Sequence, residues 1–290
     1  MSNTASIASP ARVGRSGWSR PFGSTWTALV AWVVMVGLIL VALIGPILVT
    51  TDPTAQTSDP FLPVGSPGHP LGTDDLGRDV LTRLVYGARP LIGVALASTA
   101  IAAVVGTLMG LIAGYARGWT EQAVMRGTDL VLAFPSILLI ILLVSMLQPG
   151  PTALIIGIAI AMAPNFARLV RALAAREAAK DYTKAAALSG VRTPRMLFAE
   201  ILPNLTGPLL VQCMTTIAIA AGFSAGMSYI GLGIQPPTAD WGYMVQDGQQ
   251  FIYSAPSLVL LPALLTLMFV VACNFVGDDL RDRFDVRRDL

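Results

Sequence analysis

Six stretches of this sequence run for about the length of a bilayer with almost no charge, and nothing else limits the fold as much. Crossing a hydrocarbon core takes about 20 mostly apolar residues in a helix, and residues 26–49, 90–115, 130–147, 153–170, 205–232 and 257–276 each fit that description. The chain of 290 residues is 54% hydrophobic and 12% charged, where a soluble domain carries about a quarter charged residues. The first stretch exceeds the core of a signal peptide and is followed by no small-residue cleavage pattern, so it reads as retained. The predicted fold is all-α: a polytopic integral membrane protein with six transmembrane helices.

Charge placement orients the spans, because short cytoplasmic loops collect Lys and Arg. Arg12, Arg15 and Arg20 precede the first span, and Arg117 and Arg126 lie between the second and third. Arg168, Arg171, Arg176, Lys180, Lys184, Arg192 and Arg195 cluster between the fourth and fifth, and Arg281, Arg283, Arg287 and Arg288 follow the last. The alternate loops hold only Arg78, Arg83 and Arg89. Both termini and the 176–204 loop are therefore expected in the cytoplasm. The net charge of +2 is small and says nothing about nucleic acid, and no such partner is expected.

Within the spans, Gly106, Gly110 and Gly114 recur every fourth residue, as do Gly222 and Gly226, a spacing that lets helices approach closely in lipid. Pro135 and Pro164 are expected to kink their helices. Cys213 and Cys273 read as small buried residues, and His69, the one histidine, as a solvated side chain. Of the polar residues in the spans, Gln212 and Thr216 stand one turn apart and are the candidates for facing a shared cavity. No span carries a central ionised residue, which argues against an ion-coupled carrier.

The segment KAAALSGVRTPRMLFAEILPN, residues 184–204, is a folded cytoplasmic hairpin by its local signals. Residues 181–189 predict a short helix that Gly190 ends in the left-handed conformation. Thr193 then caps, and Pro194 opens, a second helix that Pro203 is expected to stop before the fifth span. A mere connector would be far shorter. The smooth run Ala185, Ala186 and Ala187 suits docking in a partner's groove.

Here the residues resemble a family. Tyr182, Ala185–Ala186, Gly190 and Ile201–Leu202–Pro203 are similar to the "EAA" loop of permease subunits of ABC importers. The motif's glutamate is Lys184 in this chain. The letters EAA also occur at 177–179, but there Thr183 stands where the glycine belongs. Further blocks resemble the dipeptide/oligopeptide/nickel subfamily, in its C-type permease: 69–74 (HPLGTD), 76–79 (LGRD), 86–89 (YGAR), Gly114–Tyr115, 129–136 (DLVLAFPS), 235–237 (QPP), Trp241–Gly242, 254–256 (SAP) and 274–282 (NFVGDDLRD). The resemblance implies that Tyr182, Lys184, Ala185, Ala186, Gly190, Ile201, Leu202 and Pro203 couple the chain to a separate ATPase. It implies that Gly72, Thr73, Asp74, Gly77, Arg78, Asp79 and Trp241 contact an extracytoplasmic solute-binding protein or a partner permease. Trp241 alternatively reads as an anchor at the membrane interface, and Arg78 as a maker of weak exposed pairs.

The organisation so expected is a flexible cytoplasmic tail (1–25), a first transmembrane helix (26–50), an external segment (51–89), a permease core (90–278) with the coupling loop at 176–204, and a cytoplasmic C-terminal tail (279–290). No G-x-x-x-x-G-K-[ST] phosphate loop is present, so no cofactor is expected in this chain, and ATP and Mg belong to two ATP-binding subunits. A homologous second permease completes the implied assembly in a bacterial inner membrane. Peptides are the expected cargo, with nickel or another small solute as the alternative. A secondary transporter would need internal charge pairs, a membrane enzyme would need a nucleophile–base or metal set, and a scaffold would leave the hairpin's partner unspecified.

Overall fold

The computed structural model describes residues 26–116 and 118–286. The tail 1–25, Arg117, Arg287 and Arg288 lie outside the described residues. Ten α-helices account for nearly all regular structure: α1 (Trp26–Leu48), α2 (Val80–Ala116), α3 (Gly118–Leu132), α4 (Ser136–Leu147), α5 (Pro151–Ala178), α6 (Asp181–Leu188), α7 (Thr193–Arg195), α8 (Thr206–Tyr229), α9 (Trp241–Gly248) and α10 (Ser257–Val286). Five are long and apolar enough to cross a membrane, and six spans result if the bent pair α3–α4 counts as one.

Several boundaries differ from expectation for local reasons. The second span starts ten residues earlier, at Val80, because Asp79 caps it: Asp79 Oδ2 accepts the Thr82 amide at 2.8 Å and the Thr82 hydroxyl at 2.7 Å. Pro90 and Arg89 therefore lie inside a helix, and the segment between α1 and α2 ends at Asp79. The third span is two helices bent by 86° at Pro135, whose missing N–H and ring interrupt the helical ladder. Pro203 does not stop the hairpin's second arm. The chain runs from α7 through one π turn (Met196–Ile201) and one 3-10 turn (Leu202–Leu205) straight into α8. Residues 279–286, expected as tail, continue α10, and Trp32 Nε1 of α1 donates to Asp279 Oδ2 at 3.1 Å.

The core is helix on helix. Gly106, Gly110 and Gly114 let α2 lie directly on α5: a Cβ at Gly106 would stand 2.4 Å from the Ala163 carbonyl oxygen, and one at Gly110 would stand 2.6 Å from Val170 Cβ. Gly222 and Gly226 on α8, by contrast, face open space in this chain. Around this seam pack Leu91, Ala95, Ala102, Ile158, Phe166, Ala220 and Phe269, all buried. Cys213 and Cys273 are free thiols, the first half-buried and the second buried.

Candidate functional site

Two clusters of polar residues stand at opposite ends of the bundle. The first is the hairpin after α5. α6 closes with both bonds of a Schellman turn: the Gly190 amide donates to the Ala187 carbonyl at 3.0 Å and the Val191 amide to the Ala186 carbonyl at 3.2 Å. Gly190 has φ +80, a conformation that glycine takes without steric cost. The returning arm buries Met196, Leu197, Ile201 and Leu205 against Leu111, Val170, Leu173 and Ala174. Its N-cap position is Arg192, and Thr193 is already helical and makes no capping bond.

A latch ties the hairpin to its base. Glu177, buried at the end of α5, accepts from Lys180 Nζ at 2.7 Å and from the Tyr182 hydroxyl at 2.8 Å. The Thr183 hydroxyl donates to the Glu177 carbonyl at 2.8 Å, and Asn204 Nδ2 donates to the Tyr182 oxygen at 3.1 Å. Burial and the Glu177 carboxylate push the Tyr182 hydroxyl above its ordinary pKa, so it stays a donor. Tyr182, though exposed, is hydrogen-bonded within the hairpin, Ile201 is buried, Leu202 and Ala186 are half-buried on it, and Lys184, Ala185 and Pro203 are exposed. The Lys184–Asp181 pair, 3.1 Å apart, is exposed on both sides, a class of pair that contributes little. The residue that sequence reasoning missed is Leu188, 91% exposed at the tip of α6. It lies within the quoted loop, but only the fold shows that the tip leaves it unpacked.

The second cluster is the segment before α2. Arg78, expected in exposed pairs, is buried. Its Nε meets Asp74 Oδ2 at 2.6 Å, and its Nη2 meets Asp247 Oδ2 at 3.1 Å and Asp75 Oδ1 at 3.6 Å. Arg83, also buried, approaches Asp74 at 3.5 Å. Burial first, then Asp247 and Asp74, push the Asp75 carboxyl above its usual range against the pull of Arg78. His69 is not a solvated side chain: its Nδ1 lies 2.9 Å from Asp79 Oδ1. Burial raises the Asp79 pKa, but the Thr82 hydroxyl and amide and His69 outweigh it and hold the carboxyl low. The Thr73 hydroxyl donates to the Asp59 carbonyl at 2.8 Å and accepts the Leu62 amide at 2.9 Å. Gly72 and Gly77 take φ +79 and +73 where the chain doubles back on Leu62 and Thr57.

Gly72, Thr73, Asp74, Gly77 and Arg78 are therefore turned into the chain, with Asp79 half-buried at the cap. Trp241 is fully buried rather than a lipid-exposed anchor: its Nε1 donates to the Leu84 carbonyl at 2.8 Å and its ring lies over Gly87. These residues build the cap at this end of the bundle, and Leu76, Phe61 and Val64 are what it exposes. Gln212 and Thr216 bond one another across one turn of α8 at 3.3 Å, and Thr216 also donates to the Gln212 carbonyl at 2.8 Å.

The bundle of apolar spans thus carries a packed hairpin at one end and a folded cap at the other. Residues 106–289 match the family described as binding-protein-dependent transport system inner membrane component. The chain belongs to that family. The dipeptide transport system permease DppC of Alkalihalophilus pseudofirmus is 38% identical over 89% of this chain and 85% of its own length. The di/tripeptide transport system permease DppC of Pseudomonas aeruginosa is 38% identical over 89% of this chain and 87% of its own. The dipeptide permease DppC of Haemophilus influenzae is 35% identical over 89% and 90%. A chain of the MetNI methionine ABC transporter, solved in an inward-facing conformation, superposes with a TM-score of 0.58 at 19% identity, over 71% of this chain and 97% of that one. As a binding-protein-dependent inner membrane component, this subunit is a multi-pass membrane protein that works with a partner ATPase and a substrate-binding protein.

Proposed function

We propose that this chain forms half of the pathway by which an ATP-driven importer moves di- or oligopeptides across a bacterial inner membrane. The observation that carries the cargo is the agreement of three relatives, each covering 89% of the chain and each named for peptide transport. A homologous permease supplies the other half, and a solute-binding protein delivers peptide to the external face. Two ATP-binding subunits hold ATP and Mg, and this chain carries neither a cofactor nor a catalytic group. The basic loops put both termini in the cytoplasm. The exposed face of α6, with Lys184, Ala185 and Leu188, seats in a groove of the ATPase. Nucleotide-driven closure then moves the hairpin and opens the pathway outward.

The test is uptake of labelled dipeptides by a strain deleted for its own peptide permeases and supplied with the complete transporter. Peptide accumulation is expected, abolished by Leu188→Glu while the variant still inserts in the membrane. Accumulation of nickel in place of peptide would overturn the cargo, and normal uptake by Leu188→Glu would overturn the docking face.

A further inference from the structure

Arg89 is a cation beside an apolar span with no carboxylate to face. It stands on α2 and reaches the last turns of α1, where its Nε donates to the Ala42 carbonyl at 3.2 Å and its Nη2 to the Leu43 carbonyl at 3.3 Å. Pro46 explains the first bond: it has no N–H, so the Ala42 carbonyl lacks its usual helical donor. Three residues before Arg89, the Tyr86 hydroxyl donates between the Pro46 and Val49 carbonyls, at 3.3 and 3.1 Å. The two bonds of Arg89 use two of its five guanidinium donors, and among the described residues nothing takes the other three. Arg78 and Arg83 both meet Asp74. Arg89 pairs with no acid among the described residues.

Arg89 also lines an open cavity of about 390 Å3, walled by Pro53, Thr54 and Tyr86 and, from the loop before α9, by Pro237 and Thr238. That is the volume of a small-molecule site. Among the described residues Arg89 is the only charged one in the lining. Asp52 accepts the Thr54 amide and hydroxyl at 2.8 and 2.7 Å and takes no part in the walls.

α1 sets the depth of this cavity. Its 23 residues make a helix of ~35 Å, longer than a hydrocarbon core of about 30 Å, so its final turns stand where hydrocarbon gives way to headgroups. Leu43, whose carbonyl Arg89 holds, is ~8 Å from that end. α1 packs on α2 and α10 and leaves Val36, Leu40, Leu43 and Ile47 exposed, a stripe at helical spacing that runs up to Arg89. An apolar track that ends at an uncompensated cation has the order of a lipid, tails first and then phosphate.

We propose that this cavity is a phospholipid site, in which Arg89 holds the headgroup phosphate while the acyl chains lie along the stripe of α1. A guanidinium fork matches a phosphate, which accepts two parallel N–H bonds. Charge this close to hydrocarbon is costly unless it is paired, and the two carbonyls of α1 neutralise none of it. A partner helix laid on the same stripe would bury Arg89 without a counter-charge. The inference rests on the membrane placement of the chain and is independent of its cargo.

The test titrates phosphatidylglycerol into the delipidated, assembled transporter and counts bound lipid by native mass spectrometry. The wild type is expected to fill one site per copy of this chain ahead of the annular lipid. Arg89→Gln is expected to weaken that site by roughly tenfold or more. Because Arg89 also holds the end of α1, Thr238→Trp is the second variant. It leaves the guanidinium in place and fills the cavity from an exposed wall position, and it too is expected to lose the site. Wild-type binding in both variants overturns the proposal. So does loss in one alone: Arg89 would then serve only α1, or the cavity would hold lipid without its cation. Should Arg89→Gln fail to assemble, Thr238→Trp decides by itself. Displacement by equal glycerol phosphate, the headgroup without tails, would make the cavity a soluble-phosphate site. Binding by the isolated subunit that vanishes in the assembled transporter would put the partner permease on the stripe. Either result overturns the lipid.

Discussion

Asp240 shows how much one carboxylate can cost. It caps α9 through Oδ1, which accepts the Tyr243 amide at 3.1 Å. It is fully buried, and Oδ2 has no partner among the described residues. Burial pushes its pKa up to about 6, outweighing the Tyr243 amide, the nearby Ser228 hydroxyl and the Gly242 amide. An unfolded Asp titrates near 3.8, so the folded state holds its proton over a wider range. The stability that goes with the protonated form is complete below about pH 4 and lost as the pH rises through about 6. Asp240→Asn keeps the acceptor for Tyr243 and removes the charge. It is expected to stabilise the folded subunit by on the order of 2–3 kcal/mol above pH 6, with the difference vanishing near pH 4. Thermal melts of both forms across that range check it; a gap that persists unchanged to low pH would mean the charge is not the cause. Arg78 answers the same problem differently, by facing Asp74, Asp75 and Asp247 together. Breaking such a buried set by removing one member costs more than the set contributes.

At the scale of elements, the glycines separate a filled seam from an empty one. Gly106→Ala would drive a Cβ into the Ala163 carbonyl and Phe166 Cβ, at 2.4 and 2.5 Å, and overpacking of this kind costs about 1–3 kcal/mol. Gly222→Ala meets nothing within 4 Å and gains up to about 1 kcal/mol of helix propensity. Melting the subunit alone in detergent is expected to rank Gly106→Ala well below Gly222→Ala, and the reverse order would refute the α2–α5 seam. The sequence carried the spans themselves, because apolar runs report lipid depth directly, and it carried the Gly190 stop, because a left-handed residue is a local requirement. The start of α2 was missed although its cap, Asp79, stands in plain view. Arg83 and Arg89 masked it, since the burial that shelters Arg83 comes from Asp74, nine residues back. Pro203 misled for the converse reason: a proline permits continuation where the ladder has already loosened into π and 3-10 turns. Trp241 and Asp247 lie over 150 residues from Leu84 and Arg78, and no local pattern can announce such a pairing.

At the scale of the whole molecule, the hairpin matters because it belongs to two helices at once. Its second arm runs through one π turn and one 3-10 turn into α8, so in the proposed coupling a push on the tip reaches that span along an unbroken helical path. Its first arm is held to α5 by the Glu177–Tyr182–Asn204 latch. In the coupling proposed above, motion entering at α6 reaches α5 through this latch. Tyr182→Phe deletes one donor and one acceptor and leaves the ring in place, while Glu177 keeps Lys180 and Asn204 keeps the Glu200 carbonyl, a change worth about 0.5–1.5 kcal/mol. The proposed docking face of Lys184, Ala185 and Leu188 is untouched, so the variant is expected to copurify with its ATPase and to hydrolyse ATP. Peptide taken up per ATP consumed is expected to fall, whereas Leu188→Glu should fail earlier, at assembly. An unchanged ratio in Tyr182→Phe would show that α8 alone transmits the motion and that the Glu177 contact serves only to fold the loop.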